Sequence, residues 1–184
     1  MHPDPPEHFA GEPDSFERLW TPHRMVYIAG DATPVPGRED TDCPFCAVQQ
    51  RPDTDALVVH RGTLAFVVLN LYPYNPGHLL VCPFRHVADY TDLTPEEVGE
   101  VADLTREAMS VLRAVSNPAG FNLGMNQGAV AGAGIAAHLH QHVVPRWTGD
   151  ANFLPIVGRT KALPELLAQT RDRLAAAWPV ERER

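Results

Sequence analysis

Three histidines alternate with other residues in His138-Leu139-His140-Gln141-His142-Val143-Val144, and no other segment constrains the chain as strongly. Read as a β-strand, positions i, i+2 and i+4 share one face, with successive side chains roughly 6.5–7 Å apart. Leu139, Gln141 and Val143 then face the other way. Three imidazoles make a poor apolar core, because each ring needs a hydrogen-bond partner or a ligand. The run therefore admits three readings: exposed histidines on an edge strand, a transition-metal site, or a site for phosphate chemistry.

What precedes the run weighs toward phosphate. Asn126-Gln127-Gly128-Ala129-Val130-Ala131-Gly132-Ala133-Gly134 supplies amide side chains and backbone N–H groups that a ligand can approach closely. Small residues permit the approach, and glycine permits unusual dihedrals. Such a loop is common in isolation; feeding directly into three alternating histidines, it is far more specific.

The remaining composition narrows the partners. A chain of 184 residues fits one domain with a sizeable core. Its formal charge of -8 argues against salt-driven binding to DNA or RNA, which needs a basic face. A small phosphate ligand is still compatible, since one pocket can be locally positive on an acidic protein. No apolar run is long enough to predict a membrane span. The first residues, rich in Pro, Asp and Glu, lack the basic start and apolar centre of a secretory signal, so a cytoplasmic location is expected. Without such a signal, three cysteines do not suggest a disulfide scaffold. Cys82, in the run Leu79-Leu80-Val81-Cys82, reads as a buried core thiol.

Residues 1–18, with Pro3, Pro5, Pro6, Gly11 and Pro13, predict a flexible tail. Residues 19–42 read as a docking arm, aromatic and apolar from Leu19 to Ile28, followed by a turn-rich linker. The catalytic domain is expected over 43–184. Within it, 47–50 suggests a short helical turn, and strands over 57–60 and 64–69 flank Arg61-Gly62-Thr63 as a hairpin. A further strand is expected over 78–83, after a loop. Thr94-Pro95-Glu96-Glu97 carries a helix cap, a proline suited to the first turn and a capping-box glutamate. Val98, Val101, Ala102, Ala108, Met109, Leu112 and Val115 predict the buried face of that helix. Asn117-Pro118-Ala119-Gly120 ends it. Strands over 121–126 and 138–145 and a helix over 163–178 complete an α+β fold, a mainly antiparallel sheet with two principal helices. His60, beside the hairpin turn, reads as a plain surface residue.

The segment HLHQHVV resembles the histidine triad superfamily, whose signature alternates histidine with apolar residues and closes on two of them. Only Gln141 departs, and it lies on the face away from the histidines. Asn70, the turn Tyr74-Asn75-Pro76-Gly77-His78 and Asn126 are similar to further landmarks of that family, in the same order. The resemblance spans about residues 43 to 178. More narrowly, Leu19-Trp20-Thr21-Pro22-His23-Arg24, the run Ala131 to Ile135, and the run Pro145 to Phe153 look like the branch containing bacterial diadenosine tetraphosphate phosphorylases, rather than the nucleoside phosphoramidase branch. Ala133-Gly134 stands where some of that branch carry Gly-Ser. The missing hydroxyl removes a contact to inorganic phosphate and leaves water and phosphate both open as acceptors.

The resemblance implies a small-molecule nucleotide substrate, with diadenosine tetraphosphate foremost, and a nucleotidyl-histidine intermediate. It makes His140 the nucleophile, His142 the donor to the leaving oxygen, and His78 a partner within the histidine network. Asn70 is implied at ribose, and Asn126, Gln127, Gly132, Gly134 and His142 at the phosphates. No catalytic metal is called for, nor any nucleic-acid or membrane partner. A homodimer or larger homo-oligomer is implied, with Trp20 or Trp147 as an interface or base-stacking aromatic. Two alternatives stand beside this reading. One is a hydrolase of nucleoside phosphoramidates or adenylylated compounds; the other is a non-catalytic nucleotide-binding interaction protein.

Cys43-Pro44-Phe45-Cys46 has its own two readings. A redox pair belongs at a helix start after a strand, whereas a polar linker precedes this one. A structural zinc site needs two further ligands, for which the chain offers histidines. In zinc-bearing members of the superfamily, the ligand positions correspond here to Cys43, Cys46, His86 and His138. The resemblance thus implies a structural zinc one alternate position from the nucleophile.

Overall fold

The computed structural model describes residues 43–150 and 165–179. The tail expected over 1–18, the arm and linker over 19–42, Phe153 and the helix start expected at 163 lie outside the described residues.

Two short helices, α1 (Pro44–Val48) and α2 (Asp53–Ala56), precede the first strands. The cysteine pair thus brackets a helical turn that begins earlier than the expected 47–50, because Pro44 takes the first helical position. β1 (Val58–Arg61) and β2 (Ala65–Leu69) pair antiparallel as the expected hairpin, with a bulge between Val58 and His60. β3 (Leu79–Pro83), β4 (Gly120–Met125) and β5 (Gln141–Arg146) complete one antiparallel sheet, in the order β1-β2-β3-β5-β4. Every described pairing is antiparallel, as an α+β reading requires.

Period-two alternation assigns the two faces of this sheet. Val67, Leu69, Leu79, Val81 and Val143 point to one side. There they pack under α3 (Pro95–Ser116) and α4 (Leu167–Ala176). Phe66, Val68, Leu80 and Cys82 point to the other side, where they meet Phe45 and Ala56. Burial raises the Cys82 thiol well above its ordinary value, so it behaves as an inert core residue. Leu80 pairs directly with His142, which places that histidine on the face away from α3.

The capping box of α3 forms as its sequence dictates. Thr94 accepts from the Glu97 amide at 3.2 Å, and Glu97 accepts from the Thr94 amide at 2.8 Å. The Arg85 guanidinium, bonded to the same carboxylate, holds Glu97 below the usual glutamate range. The buried stripe runs through Val101, Leu104, Ala108, Val111 and Leu112. Ala102, expected on that face, is exposed instead, because the stripe's i, i+3, i+7 spacing leaves it a quarter-turn away.

Two further expectations are corrected. The strand expected from 138 begins at Gln141, so only His142 of the three histidines joins the ladder. The Leu139 amide instead donates to the Val87 carbonyl at 2.6 Å, which ties the lead-in to the segment after β3. His60 is half-buried rather than a plain surface residue, and it stacks on Trp178 with centroids 4.9 Å apart. Among the described residues no helix is long and apolar enough to cross a membrane.

Candidate active site

His138 and His140 are each oriented by a backbone carbonyl, and His142 by the His78 ring, itself fixed by a backbone amide. A backbone N–H can only donate and a carbonyl can only accept, so each contact settles which ring nitrogen carries the proton. His138 Nε2 lies 2.9 Å from the Pro83 carbonyl and is therefore the protonated nitrogen. His140 Nδ1 lies 2.9 Å from the His138 carbonyl, so Nδ1 carries the proton and Nε2 keeps its lone pair. His142 takes its tautomer from His78. The Tyr74 amide donates to His78 Nδ1 at 3.1 Å, and the Asn70 carboxamide nitrogen approaches the same atom at 3.3 Å. The proton of His78 then sits on Nε2, 2.9 Å from His142 Nδ1, which accepts it. His142 is left with its own proton on Nε2.

A lone pair on His140 Nε2 thus stands beside an N–H on His142 Nε2. The two rings meet edge to face, with centroids 5.0 Å apart. Burial lowers the pKa of His140, with the hydrogen bond to the His138 carbonyl opposing in part. Burial, reinforced by the charge of His140, lowers His142 to about 4. Both rings are consequently neutral at physiological pH.

Other expected residues are placed unevenly. His78 is fully buried in the network, and Asn70 serves it directly while also accepting from the Tyr72 amide at 3.0 Å. Asn126 lines a cavity of about 250 Å³ beside His142, together with Tyr74, Asn122, Gly124 and Arg146. Gln127 is turned away, its carbonyl oxygen accepting from the Tyr90 amide at 2.7 Å. Gly132 adopts φ +82° at the end of a 3-10 turn over Ala129–Ala131, with open space where a side chain would stand. Gly132 and Gly134 thus belong to the loop expected to approach phosphate, without a described contact to the histidines.

Tyr74, Asn75, Phe45 and Asp150 went unassigned in the sequence. Phe45 packs against His138 and His140 at centroid distances of 5.4 and 5.1 Å. The Tyr74 ring stacks on His142 at 5.8 Å. Its adjacency to Asn75-Pro76-Gly77-His78 was the available signal, but its hydrogen bond to His78 is made by the main-chain amide, which any residue except proline supplies.

The cysteine pair converges on the same strand entry. Sγ of Cys43 lies 3.4 Å from His138 Nδ1, and Sγ of Cys46 lies 3.6 Å from it and 3.2 Å from His86 Nδ1. All four ligand atoms fall within 4.8 Å of one another. A tetrahedral ion with bonds of roughly 2.3 Å to sulfur and 2.0 Å to nitrogen would separate its ligands by about 3.5 Å. The donor set, two thiols and two imidazoles, fits such an ion. The Pro83 carbonyl keeps the His138 proton on Nε2, so the Nδ1 lone pair faces the thiols, as a metal-binding imidazole requires.

Comparison with known proteins agrees with this geometry. The model of the HIT domain matches residues 51–149. The chain is 49% identical over 172 residues to the AP-4-A phosphorylase of Mycobacterium tuberculosis (strain ATCC 25618 / H37Rv), covering 91% of this chain and 87% of that one. It is 36% identical over 93 residues to the asymmetrical bis(5'-nucleosyl)-tetraphosphatase of Schizosaccharomyces pombe, half of each chain. Among solved structures, a Zn-bound histidine triad family protein from Mycobacterium smegmatis superposes with a TM-score of 0.62 at 28% identity, covering 76% of this chain and 95% of that one.

Proposed function

The chain belongs to the HIT domain family, and from that premise we propose that it cleaves dinucleoside polyphosphates, foremost diadenosine tetraphosphate, through a nucleotidyl-histidine intermediate. The observation that carries this reading is that His140 Nε2 is left with its lone pair and His142 Nε2 with its proton, on rings whose centroids lie 5.0 Å apart. A binding protein needs neither.

In the first step His140 Nε2 attacks the α-phosphorus in line and forms the N–P bond. The bond from phosphorus to the bridging oxygen breaks, and ATP departs. His142 Nε2–H donates a hydrogen bond to that oxygen as charge develops on it. The His138 carbonyl, already bonded to His140 Nδ1–H, favours the positive charge that the ring gains. Asn70 is assigned to ribose, and Asn126 and the loop amides around Gly132 and Gly134 to the phosphates, where positioning and electrostatics dominate the barrier; Gln127, bonded to the Tyr90 amide, steadies that loop instead. In the second step inorganic phosphate, or water, attacks the adenylyl group and releases ADP, or AMP, restoring His140. The high identity to a phosphorylase over nearly the whole chain favours phosphate.

Cys43, Cys46, His86 and His138 would hold a structural zinc. When bound, that ion would anchor the lead-in to β5 through His138, without taking part in the reaction. We assign the catalytic domain to residues 43–184, in the cytoplasm and as a homodimer. The edge position of β4 and the half-buried Trp147 are compatible with that assembly.

Product analysis tests the reading. Diadenosine tetraphosphate should give ADP plus ATP only when inorganic phosphate is present. AMP plus ATP without phosphate would make the protein a hydrolase, and no cleavage under either condition would reject the reaction.

A further inference from the structure

The His78–His142 pair joins two separate pieces of chain, the turn before β3 and the strand β5. Its 2.9 Å contact holds only if those pieces are held in register. Beside the β3–β5 ladder and the Tyr74 ring, the Asn75 side chain links them by hydrogen bonds. Asn75, buried within the turn, donates one amide hydrogen to the Pro145 carbonyl of β5 at 2.9 Å. It donates the other to Asp150 Oδ2 at 2.7 Å, beyond the end of the strand. Both hydrogens of a single amide therefore fasten the His78 turn to the His142 strand and its continuation.

Asp150 is in turn anchored on β5. Arg146 Nε and Nη2 reach its two oxygens at 2.7 and 2.8 Å, and the Trp147 amide donates to Oδ2 at 3.1 Å. The Arg146 guanidinium drives the Asp150 carboxyl far below the usual carboxylate range, so the acceptor stays charged at any working pH. On the other side, the backbone of Asn75 closes the turn around His78. Its carbonyl accepts from the His78 amide at 3.1 Å, and the amide of adjacent Tyr74 points at His78 Nδ1. Gly77 permits this path with φ +75°, a conformation that other residues rarely adopt.

We infer that Asn75 and Asp150 are positioning residues that act through His78 to keep the His142 proton on Nε2, where the departing oxygen needs it. The inference rests on the proposed nucleotidyl transfer for its catalytic consequence, though not for the tautomer itself. Without the clamp, the Tyr74 amide moves off His78 Nδ1, the hold on that nitrogen weakens to the longer Asn70 contact at 3.3 Å, and the ring takes up both tautomers. Whenever the proton of His78 sits on Nδ1, His142 Nδ1 loses its donor and the His142 proton is no longer held on Nε2.

Two readouts separate this role from mere structural support. Imidazole ¹⁵N chemical shifts report tautomers directly, and wild-type His78 and His142 should each show protonated Nε2 alone. Asn75→Ala, and the near-isosteric Asp150→Asn if the first variant folds poorly, should show mixed tautomers at both rings. Kinetically, the phenyl and p-nitrophenyl esters of AMP share an adenylyl group and differ in leaving-group basicity. Phenolate depends on the His142 donor far more than nitrophenolate does. Relative to wild type, each variant should lose about tenfold more kcat/KM on the phenyl ester than on the nitrophenyl ester. Equal losses on both esters, or unchanged tautomers in both variants, overturn the inference. If wild-type protein cleaves neither ester nor diadenosine tetraphosphate, the proposed reaction fails, while the ¹⁵N shifts still decide whether the clamp sets the tautomers.

Discussion

His78 Nε2 stands 2.9 Å from His142 Nδ1, and the Tyr74 amide on the far side of His78 leaves one direction for the proton between them. That contact converts a fixed backbone donor into a defined proton on His142 Nε2, two rings away. The proposed role of His142 as donor rests on it.

Replacing the nucleophile should remove the reaction. His140→Asn keeps a polar group of similar reach but has no lone pair able to form an N–P bond. Turnover of diadenosine tetraphosphate should fall to background. His142→Asn should retain the nucleophile and lose about 10²- to 10⁴-fold in kcat, the range of a general acid–base contribution. A His140→Asn protein with measurable nucleotide cleavage would exclude the proposed intermediate.

The depressed pKa of His142 makes stability depend on pH in one direction. In the unfolded chain the ring titrates near its ordinary value of 6.5; in the folded protein it does so near 4. Between those values the unfolded chain takes up a proton that the folded protein refuses. The His142 contribution is therefore fully present above 6.5 and declines as pH falls toward 4. The thermal midpoint of wild type should drop more between pH 7 and pH 4.5 than that of His142→Asn. Parallel profiles for the two proteins would contradict the assignment. Because the ring is only half-buried, solvent will moderate the difference.

Metal removal should act on stability before chemistry. Elemental analysis should find one zinc per chain, and Cys46→Ser should weaken its retention. A chelator should lower the thermal midpoint by about 10 °C or more, since binding free energy at a closed site adds to folding free energy. Activity should decline later, as the lead-in to β5 loosens. Zinc-free protein with unchanged melting and turnover would remove the site from consideration.

The capping box gives a control remote from the histidines. Thr94→Ala deletes the acceptor for the Glu97 amide and should cost about 1 kcal/mol, read as a shift in denaturation midpoint at unchanged slope. kcat should be unaffected, because neither Thr94 nor Glu97 contacts the histidine network among the described hydrogen bonds.

Much of this molecule was legible along the chain because the relevant forces are local. Thr94-Pro95-Glu96-Glu97 signals a capped helix through contacts spanning four residues, and the helix begins there. Continuous apolar runs, broken by Gly62 and Pro76-Gly77, announce the hairpin and β3 to within one residue, because both faces of β2 and β3 are buried. The alternating histidines, the loop before them and the cysteine pair named the chemistry, since few other functions assemble imidazoles, amides and thiols in that pattern. Periodicity misplaced the start of β5, however. Nothing local reveals that the Leu139 amide pairs with Val87 rather than with a neighbouring strand.

What the chain determined by itself was an inventory: an antiparallel sheet, a long capped helix, three imidazoles in alternation and two thiols beside a turn. Only the tertiary structure shows which ring nitrogen of each imidazole carries the proton. His138 turns Nδ1 to the thiols because the Pro83 carbonyl accepts from its Nε2–H, and His140 Nε2 keeps its lone pair because the His138 carbonyl accepts from its Nδ1–H. His142 carries its proton on Nε2 because the Tyr74 amide leaves His78 Nε2–H to donate to His142 Nδ1. These choices rest on main-chain donors and acceptors, which are chemically identical at nearly every residue. Side-chain identity cannot encode them, and only the path of the folded backbone can.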